Sequence, residues 1–221
     1  MQSDISIELV DHMGDDLRIA NVARVSFNKW KEELDDKDVK LIQYLAAHEH
    51  TSPFRHNSIT LRCKAPLFLA RQLGKHQVGL SWNEVSRRYV DDEPEFYYPD
   101  EWRARPEGGI KQGSGDKYLG DEPFGNFCEL PISYNEYVML GIDLYTDMLR
   151  KGIAPEMARM VLPQSMMTTW IWTGSLQAFF HVWRLRIDGH AQKEAQDFAQ
   201  KLDDVISPIF PNSWEALKYS G

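Results

Sequence analysis

The stretch Asn57-Ser-Ile-Thr-Leu-Arg-Cys-Lys64 (NSITLRCK) alternates apolar and polar side chains without a break. Successive side chains of an extended strand point to opposite faces, so Ile59, Leu61 and Cys63 would share one face. This period predicts a β-strand that is buried on one side. No other run of the chain alternates as cleanly, and this strand is therefore the reference for the fold.

Helices and a second strand are predicted on both sides of this strand. Apolar residues at spacings of three and four, often behind a proline or a capping residue, indicate the helices. The clearest helix start is a capping box formed by Ser133 and Glu136. The second strand is predicted at residues 3–11, and the helices at the beginning of 16–27 and at 36–50, 66–76, 133–150, 155–161, 175–187 and 191–207.

The order of these elements predicts the α+β class, because strands and helices do not alternate as they do around a parallel sheet. The length of 221 residues fits one large domain or two small ones. From Asp91 to Leu130 the chain is rich in Gly, Pro and charge, which predicts a long irregular excursion. The Gly113-Ser-Gly115 run lies inside this excursion and not after a strand, so it is no dinucleotide-binding fingerprint.

Charge and cysteine content narrow the class of protein. The net charge of −8 and the pI near 5.4 disfavour binding to nucleic acid through a basic surface. The spacing of Cys63 and Cys128 fits neither a metal site nor a disulfide framework, which predicts a reduced, cytoplasmic protein. The sequence contains no run of 18 apolar residues, so no membrane span is expected. Its first residues form no apolar segment typical of a signal peptide, and no membrane partner is expected.

A dense polar cluster occupies residues 75–89 (KHQVGLSWNEVSRRY). Lys75, His76, Arg87 and Arg88 supply positive or hydrogen-bond-donating groups, and Glu84 supplies an acceptor. Such a set suits a phosphate or a polar heterocycle. Composition alone leaves open whether the segment binds a ligand or is a polar loop between two elements.

Three arginines interrupt the mostly apolar residues 155–196. Buried arginines are paired, so Arg159, which apolar residues flank, needs a partner or an anionic ligand. Arg184 and Arg186 lie two residues apart on a predicted helix and cannot share a face. One of these two is expected to reach solvent or a structural carboxylate, and the other to point into a site. A structural salt bridge is the alternative for each arginine.

Three histidines in HEHTSPFRH suggest a metal site at first sight. His48 and His50 lie two apart near a helix end, so their rings are expected to diverge, and no Cys or carboxylate completes a standard ligand spacing with His56. Contact of a single histidine with a ligand is favoured, and no metal is predicted.

Eight segments together resemble the flavin-dependent thymidylate synthases. The central motif of that family reads Arg-His-Arg, seven residues and Ser, within an Asn-Glu-x-Ser-x-Arg-Tyr pattern. Each segment alone is weak, but their common order and spacing over residues 9–196 make the resemblance strong. The segments are LVDHMGDD, ARVSF, HEHTSPFRH, KAPLFLARQL, KHQ with NEVSRRY, EFYYP, ARMVLP and LRIDGHAQKEAQ.

The resemblance implies one α+β domain over residues 1–221, with an antiparallel sheet, flanking helices and no Rossmann arrangement. It also implies a homotetramer with FAD sites between subunits. The implied reaction methylates dUMP to dTMP, with 5,10-methylenetetrahydrofolate as carbon donor, NADPH as reductant and reduced flavin as the source of hydride. No cysteine nucleophile is then required, and neither Cys63 on its apolar strand face nor Cys128 in a loop looks activated.

Two other functions stay open. A related enzyme could transfer a different group to C5 of the pyrimidine, such as hydroxymethyl. A non-catalytic relative could bind the nucleotide with a decayed flavin site, although such a protein would not need Arg186.

Matching this chain to the family motif assigns two sets of site residues. Arg186 matches the arginine that faces the uracil ring, where its charge would stabilise negative charge in the reaction, so it is the predicted catalytic residue. The set for dUMP is Gln72, Lys75, Glu84, Ser86, Arg87, Arg88, Arg159 and Arg186. The set for FAD is Ser26, His50, Lys75, His76, Gln77, Glu84, Ser175, Gln177 and His181.

The flavin side departs from the family pattern at four positions. Lys75 and Gln77 replace the two motif arginines, while Gln177 and His181 stand where an arginine and an asparagine are usual. One extra residue in the motif is expected to be absorbed as a bulge near Gly79. Nucleotide binding is therefore expected to be retained and flavin binding to be altered.

Overall fold

A computed structural model describes residues 3–90, 92–106, 114, 115, 118, 120 and 122–220. The strands are β1 (Ser6–Met13), β2 (Ser58–Pro66), β3 (Leu80–Glu84), β4 (Gly125–Phe127), β5 (Leu130–Ile132) and β6 (Met167–Gly174). The α-helices are α1 (Asp16–Arg24), α2 (Asp36–Ala47), α3 (Leu67–Leu73), α4 (Tyr134–Arg150), α5 (Pro155–Ala158), α6 (Leu176–Arg186), α7 (Lys193–Ile206) and α8 (Pro211–Ser220).

Four strands form an antiparallel sheet in the order β1-β2-β6-β3. β2 is a central strand, and its Ile59, Leu61 and Cys63 are fully buried as its alternation predicts. β4 and β5 form a separate hairpin. The predicted α+β class, antiparallel sheet and absence of a Rossmann arrangement are confirmed.

The core lies between one face of the sheet and the helices. Trp170 and Trp172 of β6 point into it, where they contact Phe198 of α7 and Phe179 of α6. α2 packs against α8, and α6 against α7, to close the helical side. This arrangement leaves the polar face of the sheet, with Arg62 of β2, open.

Most helices begin where the sequence predicts. Ser133 caps α4 through a complete capping box with Glu136, and Ser175 caps α6. The predicted helix at 155–161 is α5 followed by a 3-10 turn.

Five of these strands and helices are absent from the sequence prediction, namely β3, β4, β5, β6 and α8. β3 lies in the polar cluster and β6 in the apolar segment that contains the arginines. The predicted helix at 191–207 is followed by a further helix, because Pro211 begins α8. The expected bulge near Gly79 is also wrong. Gly79 adopts a φ of 72° in a turn before β3, and the register of β3 with β6 is uninterrupted.

The predicted excursion lies partly outside the described residues, at 91, 107–113, 116, 117, 119 and 121. Its described part includes a bridge between Phe96 and Met166 and, at its end, strand β4. Arg103 donates to both carboxylate oxygens of the buried Glu194, at 2.6 and 2.8 Å. This ion pair fastens the excursion to the start of α7. The domain limits of 1–221 stay a prediction.

Candidate functional site

Four clefts contain most of the residues predicted to bind ligands. Cleft A, of about 740 Å³, contains Glu84, Arg87 and Arg159. Cleft B, of about 710 Å³, contains Lys75, His76, Gln77 and Glu84. Cleft C, of about 230 Å³, contains His50, Gln177 and His181. Cleft D, of about 720 Å³, contains Gln72 and Arg186.

Cleft A combines cations and carboxylates on the open face of the sheet. Arg87 forms an ion pair with Asp92 at 3.0 Å. Arg159 is exposed, and its Nε donates to the main-chain oxygen of Glu156 at 3.3 Å. Arg159 forms no ion pair with a described residue, so its terminal nitrogens can meet an anion. The structural salt bridge considered for Arg159 is therefore not found within the described part of the chain.

Ser86 and Arg88 follow β3 directly. Nε of Arg88 donates to the hydroxyl of Ser86 at 3.1 Å, and its guanidinium lies 5.0 Å from the ring centre of Tyr89. Both predicted dUMP residues are thus adjacent in sequence to the wall of cleft A, outside its lining.

Glu84 lines both cleft A and cleft B. The hydroxyl of Thr168 donates to Oε1 of Glu84 at 2.8 Å, and the indole nitrogen of Trp82 donates to Oε2 at 3.2 Å. No lysine or arginine among the described residues forms an ion pair with this carboxylate. Glu84 therefore presents an uncompensated hydrogen-bond acceptor to both clefts.

Arg186 connects cleft D with cleft B. Its Nε donates to Nε2 of His76 across 3.0 Å. Burial, together with the charge of Arg186, lowers the pKa of His76 to about 4, so the imidazole is neutral at pH 7 and accepts this hydrogen bond. Burial also lowers the pKa of Arg186. The neighbouring Arg184 is exposed, as expected for one of the two arginines, and its guanidinium lies 5.7 Å from the ring centre of Phe180. Arg184 nevertheless lines clefts C and D, so the two arginines share cleft D.

Cleft C has an unsatisfied acceptor in its wall. Nε2 of Gln177 lies 3.2 Å from Nε2 of His181, but Oε1 of Gln177 is buried and has no hydrogen-bond partner among the residues that the structure describes. Burial and the nearby charge of Arg184 lower the pKa of His181. Because a buried polar atom without a partner costs free energy, this oxygen marks a place for a ligand that carries an N–H or O–H group.

Two predicted flavin residues lie outside these four clefts. Ser175 accepts a hydrogen bond from the main-chain nitrogen of Ala178 at 3.3 Å and so caps α6. Ser26 is exposed in the 3-10 turn after α1. Arg24, just before this turn, pairs with the fully buried Asp38 of α2. Within one chain, the predicted FAD set is divided between clefts B and C, this turn and the start of α6.

Sequence reasoning does not single out Trp82 or Thr168. Leu80, Trp82 and Glu84 alternate with other residues along β3, and this spacing places the carboxylate on the same face as the tryptophan. That signal is present in the sequence, but it has meaning only once the segment is known to be a strand.

The described residues offer neither an activated cysteine nor a cluster of metal ligands. Both cysteines are free, and burial raises the pKa of Cys63. In the described part of the chain, no group of three or more His, Cys, Asp or Glu side chains could hold a metal ion. No helix there is long and apolar enough to cross a membrane.

This chain is similar to proteins of known family over almost all of its length. Residues 8–212 match a family model described as thymidylate synthase complementing protein. The chain is 37% identical over 219 residues to the flavin-dependent thymidylate synthase of Thermosipho africanus, which covers 97% of this chain and 91% of that protein. For a Thermus thermophilus protein of the same name, the identity is 35% over 212 residues, or 96% and 75% of the two chains.

A solved structure supports the same relationship. The UMP/dUMP methylase PolB from Streptomyces cacaoi, bound with 5-Br dUMP, has a TM-score of 0.78 and 29% sequence identity to this chain. The similarity covers 100% of this chain and 97% of that one.

Proposed function

Because this chain belongs to the family of flavin-dependent thymidylate synthases, we propose that it is an enzyme that methylates dUMP. The observation that carries the proposal is the position of Glu84, which borders a cleft with arginines on one side and a cleft with His76 on the other. A nucleotide and a flavin that share this wall would lie next to each other.

The nucleotide is proposed to use the predicted dUMP set. Arg87 and Arg159 in cleft A can meet its phosphate, since guanidinium groups bind phosphate through paired hydrogen bonds. Gln72 and Arg186 lie in cleft D of the same chain. This division is consistent with a site completed by a second copy of the chain, as the family resemblance implies.

The residues present fit a flavin. Cleft B combines the donors Lys75 and Gln77 with the apolar wall of Leu80 and Trp82, which suits a flat heterocycle with polar edges. In cleft C, Oε1 of Gln177, which has no partner among the described residues, can accept a hydrogen bond from an N–H or O–H group of the flavin. When bound, FAD would supply hydride chemistry that the protein side chains cannot perform.

Arg186 is proposed to be the catalytic residue. Its fixed charge, held by His76, would stabilise negative charge that develops on the uracil ring. The buried Cys63 is not suited to act as a nucleophile, because a raised pKa keeps its thiol protonated.

The co-substrates and the assembly are further parts of this proposal. NADPH is proposed as the reductant and 5,10-methylenetetrahydrofolate as the carbon donor. A homotetramer is supported by α4, where Tyr137, Leu140 and Leu144 are about half exposed. Apolar residues at this helical spacing form a stripe that a second copy could cover. The free cysteines support a cytoplasmic enzyme.

A single set of measurements tests the function. Purified protein should show oxidised-flavin absorbance, or gain it when FAD is added. With NADPH and the folate, it should release tritium from 5-tritiated dUMP, and mass analysis of the product should show an added methyl group. A hydroxymethyl product, or dUMP binding without flavin binding, would favour one of the two alternatives. No release and no product at saturating FAD would contradict the proposal.

Two additions complete this experiment. UMP is assayed beside dUMP, since the solved relative is described as acting on both. Light scattering of the same sample measures the mass of the assembly, which is expected to be four chains.

A further inference from the structure

We infer that Thr168 and Trp82 are positioning residues that hold the carboxylate of Glu84 in a fixed orientation between clefts A and B. The inference rests on the proposed function, because it assigns a purpose to these contacts only if substrate and flavin occupy the two clefts. Neither residue belongs to the sets that the family motif assigns.

Thr168 fixes the first oxygen of the carboxylate. It lies near the start of β6, a strand paired on both sides, and it is only 7% exposed. Its hydroxyl donates to Oε1 of Glu84 at 2.8 Å. A β-branched side chain has few rotamers, so the hydroxyl of this buried threonine is a rigid donor.

Trp82 fixes the second oxygen. Its ring stacks on the buried Trp170, with 4.3 Å between ring centres and an interplanar angle of 15°, and meets Trp172 edge-on at 5.3 Å. These contacts hold the indole so that its N–H donates to Oε2 of Glu84 at 3.2 Å. The core of the protein thus orients the carboxylate through a tryptophan.

The two donors are neutral, and this determines what Glu84 can do. A lysine or arginine partner would cancel its charge, but hydroxyl and indole groups orient a carboxylate and leave its charge in place. Each oxygen of an ionised carboxylate can accept more than one hydrogen bond, so both oxygens can still receive a donor from a ligand. The ligand groups that match are a hydroxyl or a ring N–H, which nucleosides and flavins both carry.

Pre-orientation should improve binding. A free glutamate side chain has many rotamers, and ordering it on ligand binding costs entropy. Because Thr168 and Trp82 order Glu84 in advance, that cost is removed from the binding step. The alternative is that both residues only stabilise the sheet. In that case their hydroxyl and N–H groups would affect unfolding but not ligand affinity.

The experiment compares variants that differ by one polar group. Thr168→Val removes the hydroxyl at nearly constant shape, and Thr168→Ser restores it. Thr173→Val is the matched control, because it removes a β6 hydroxyl that bonds, among the described residues, only to Thr60, at 3.1 Å. Trp82→Phe keeps an aromatic ring on Trp170 and removes the N–H. Its control is Trp183→Phe, which removes an indole N–H that has no hydrogen-bond partner in the described part of the chain.

The measurements use the FAD-loaded protein. Calorimetry gives the Kd for dUMP. The change in flavin absorbance on adding dUMP shows whether the nucleotide in cleft A affects the flavin in cleft B. Thermal unfolding of each variant reports stability. Thr168→Val should raise the Kd about tenfold, because the cost of ordering a freed glutamate side chain then falls on the binding step, and it should reduce the flavin spectral change. Thr168→Ser and both controls should stay within about threefold of the unmodified protein, while Trp82→Phe should raise the Kd by roughly threefold to tenfold.

Each outcome decides the inference. It is overturned if Thr168→Val binds dUMP as the unmodified protein does, or if Thr168→Ser weakens binding as much as Thr168→Val. If Thr168→Val does not fold, Trp82→Phe decides, and unchanged affinity in that variant overturns the inference. An unmodified protein that does not bind dUMP overturns the proposed function as well. Normal binding by the unmodified protein and by all variants overturns the inference alone.

Discussion

Arg186 and His76 are joined by a hydrogen bond of 3.0 Å between Nε of the arginine and Nε2 of the histidine. The bond links the last turn of α6 to the segment just after α3. Because the pKa of His76 is lowered to about 4 by burial and by Arg186, the imidazole is neutral and does not repel the guanidinium at pH 7. The arginine therefore keeps its charge while its orientation is restricted.

Replacement of Arg186 by alanine should lower turnover much more than nucleotide affinity. A charge that acts mainly in the transition state contributes to kcat, and its loss typically costs about 100-fold or more. Tritium release from 5-tritiated dUMP measures turnover, and calorimetry measures the Kd for dUMP. Arg150→Ala, at the exposed arginine that ends α4 outside the four clefts, is the control and should retain turnover within about threefold. If Arg186→Ala raises only the Kd, the assigned role is wrong.

Gln77→Arg should tighten the binding of FAD. Gln77 lines cleft B and stands where the family motif has an arginine, so the substitution adds a charge next to an anionic cofactor. A gained charge-assisted hydrogen bond of about 1.5 kcal/mol corresponds to roughly a tenfold lower Kd. Quenching of flavin fluorescence on titration measures it. Val78→Arg, at the 90% exposed neighbouring position, should change the affinity less. Equal effects of the two variants would indicate a general charge effect.

The stability of the protein should decrease in mild acid through His76. Its pKa is lowered to about 4 in the folded state from an ordinary value of 6.5, so between these values the unfolded chain binds more protons. The free energy of unfolding then falls as the pH falls from about 6.5 to 4. Buried carboxylates such as Glu194, whose pKa is also lowered, act in the same direction, so a comparison is needed.

His76→Gln provides that comparison, because it keeps an acceptor for Arg186 and cannot be protonated. Thermal unfolding between pH 7 and 5 should show a smaller loss in Tm for this variant than for the unmodified protein. His12→Gln, an exposed histidine on β1, should leave the slope unchanged. Parallel curves for His76→Gln and the unmodified protein would contradict the assignment.

Asp38→Ala should destabilise the fold strongly. Asp38 is fully buried, pairs with Arg24, bonds Lys31 at 2.8 Å and accepts the capping hydrogen bond from the main chain of Asp35 at 3.0 Å. Removing one partner of a buried ion pair costs about 3–5 kcal/mol, because the other charge is left uncompensated. Urea unfolding measures the loss. Asp36→Ala, an exposed position in the same helical turn, should cost less than about 1 kcal/mol. Similar losses for the two would show that the network is not coupled.

Elements with a regular pattern and a clear start can be predicted from the sequence. β2 alternates because one face is core and the other is open, and α4 begins with a complete capping box. β6 is harder to predict, because apolar Ile171 on its open face obscures the alternation of Trp170 and Trp172. α8 is not predicted because a proline can end one helix or begin the next, and only packing against α2 distinguishes the two.

The types of residue at the candidate site are predictable, but their grouping is not. Glu84 and Arg87 belong to one short segment, and their common cleft follows from that proximity. The contact of Thr168 with Glu84 joins residues 84 positions apart through the register of β3 on β6. Because the sequence does not reveal β3 itself, no sequence pattern can indicate this pair. Glu84 and the other members of both residue sets keep their assigned roles as proposals.

The stacked pair of Trp82 and Trp170 gives the protein an intrinsic spectroscopic signal for the position of β3. The chain has seven tryptophans, and two indoles with ring centres 4.3 Å apart are close enough for their excited states to couple. Such coupling produces a paired positive and negative band in ultraviolet circular dichroism. The amplitude of that couplet would follow the docking of β3 on β6 in real time, without any attached label, and at the strand that carries the shared carboxylate.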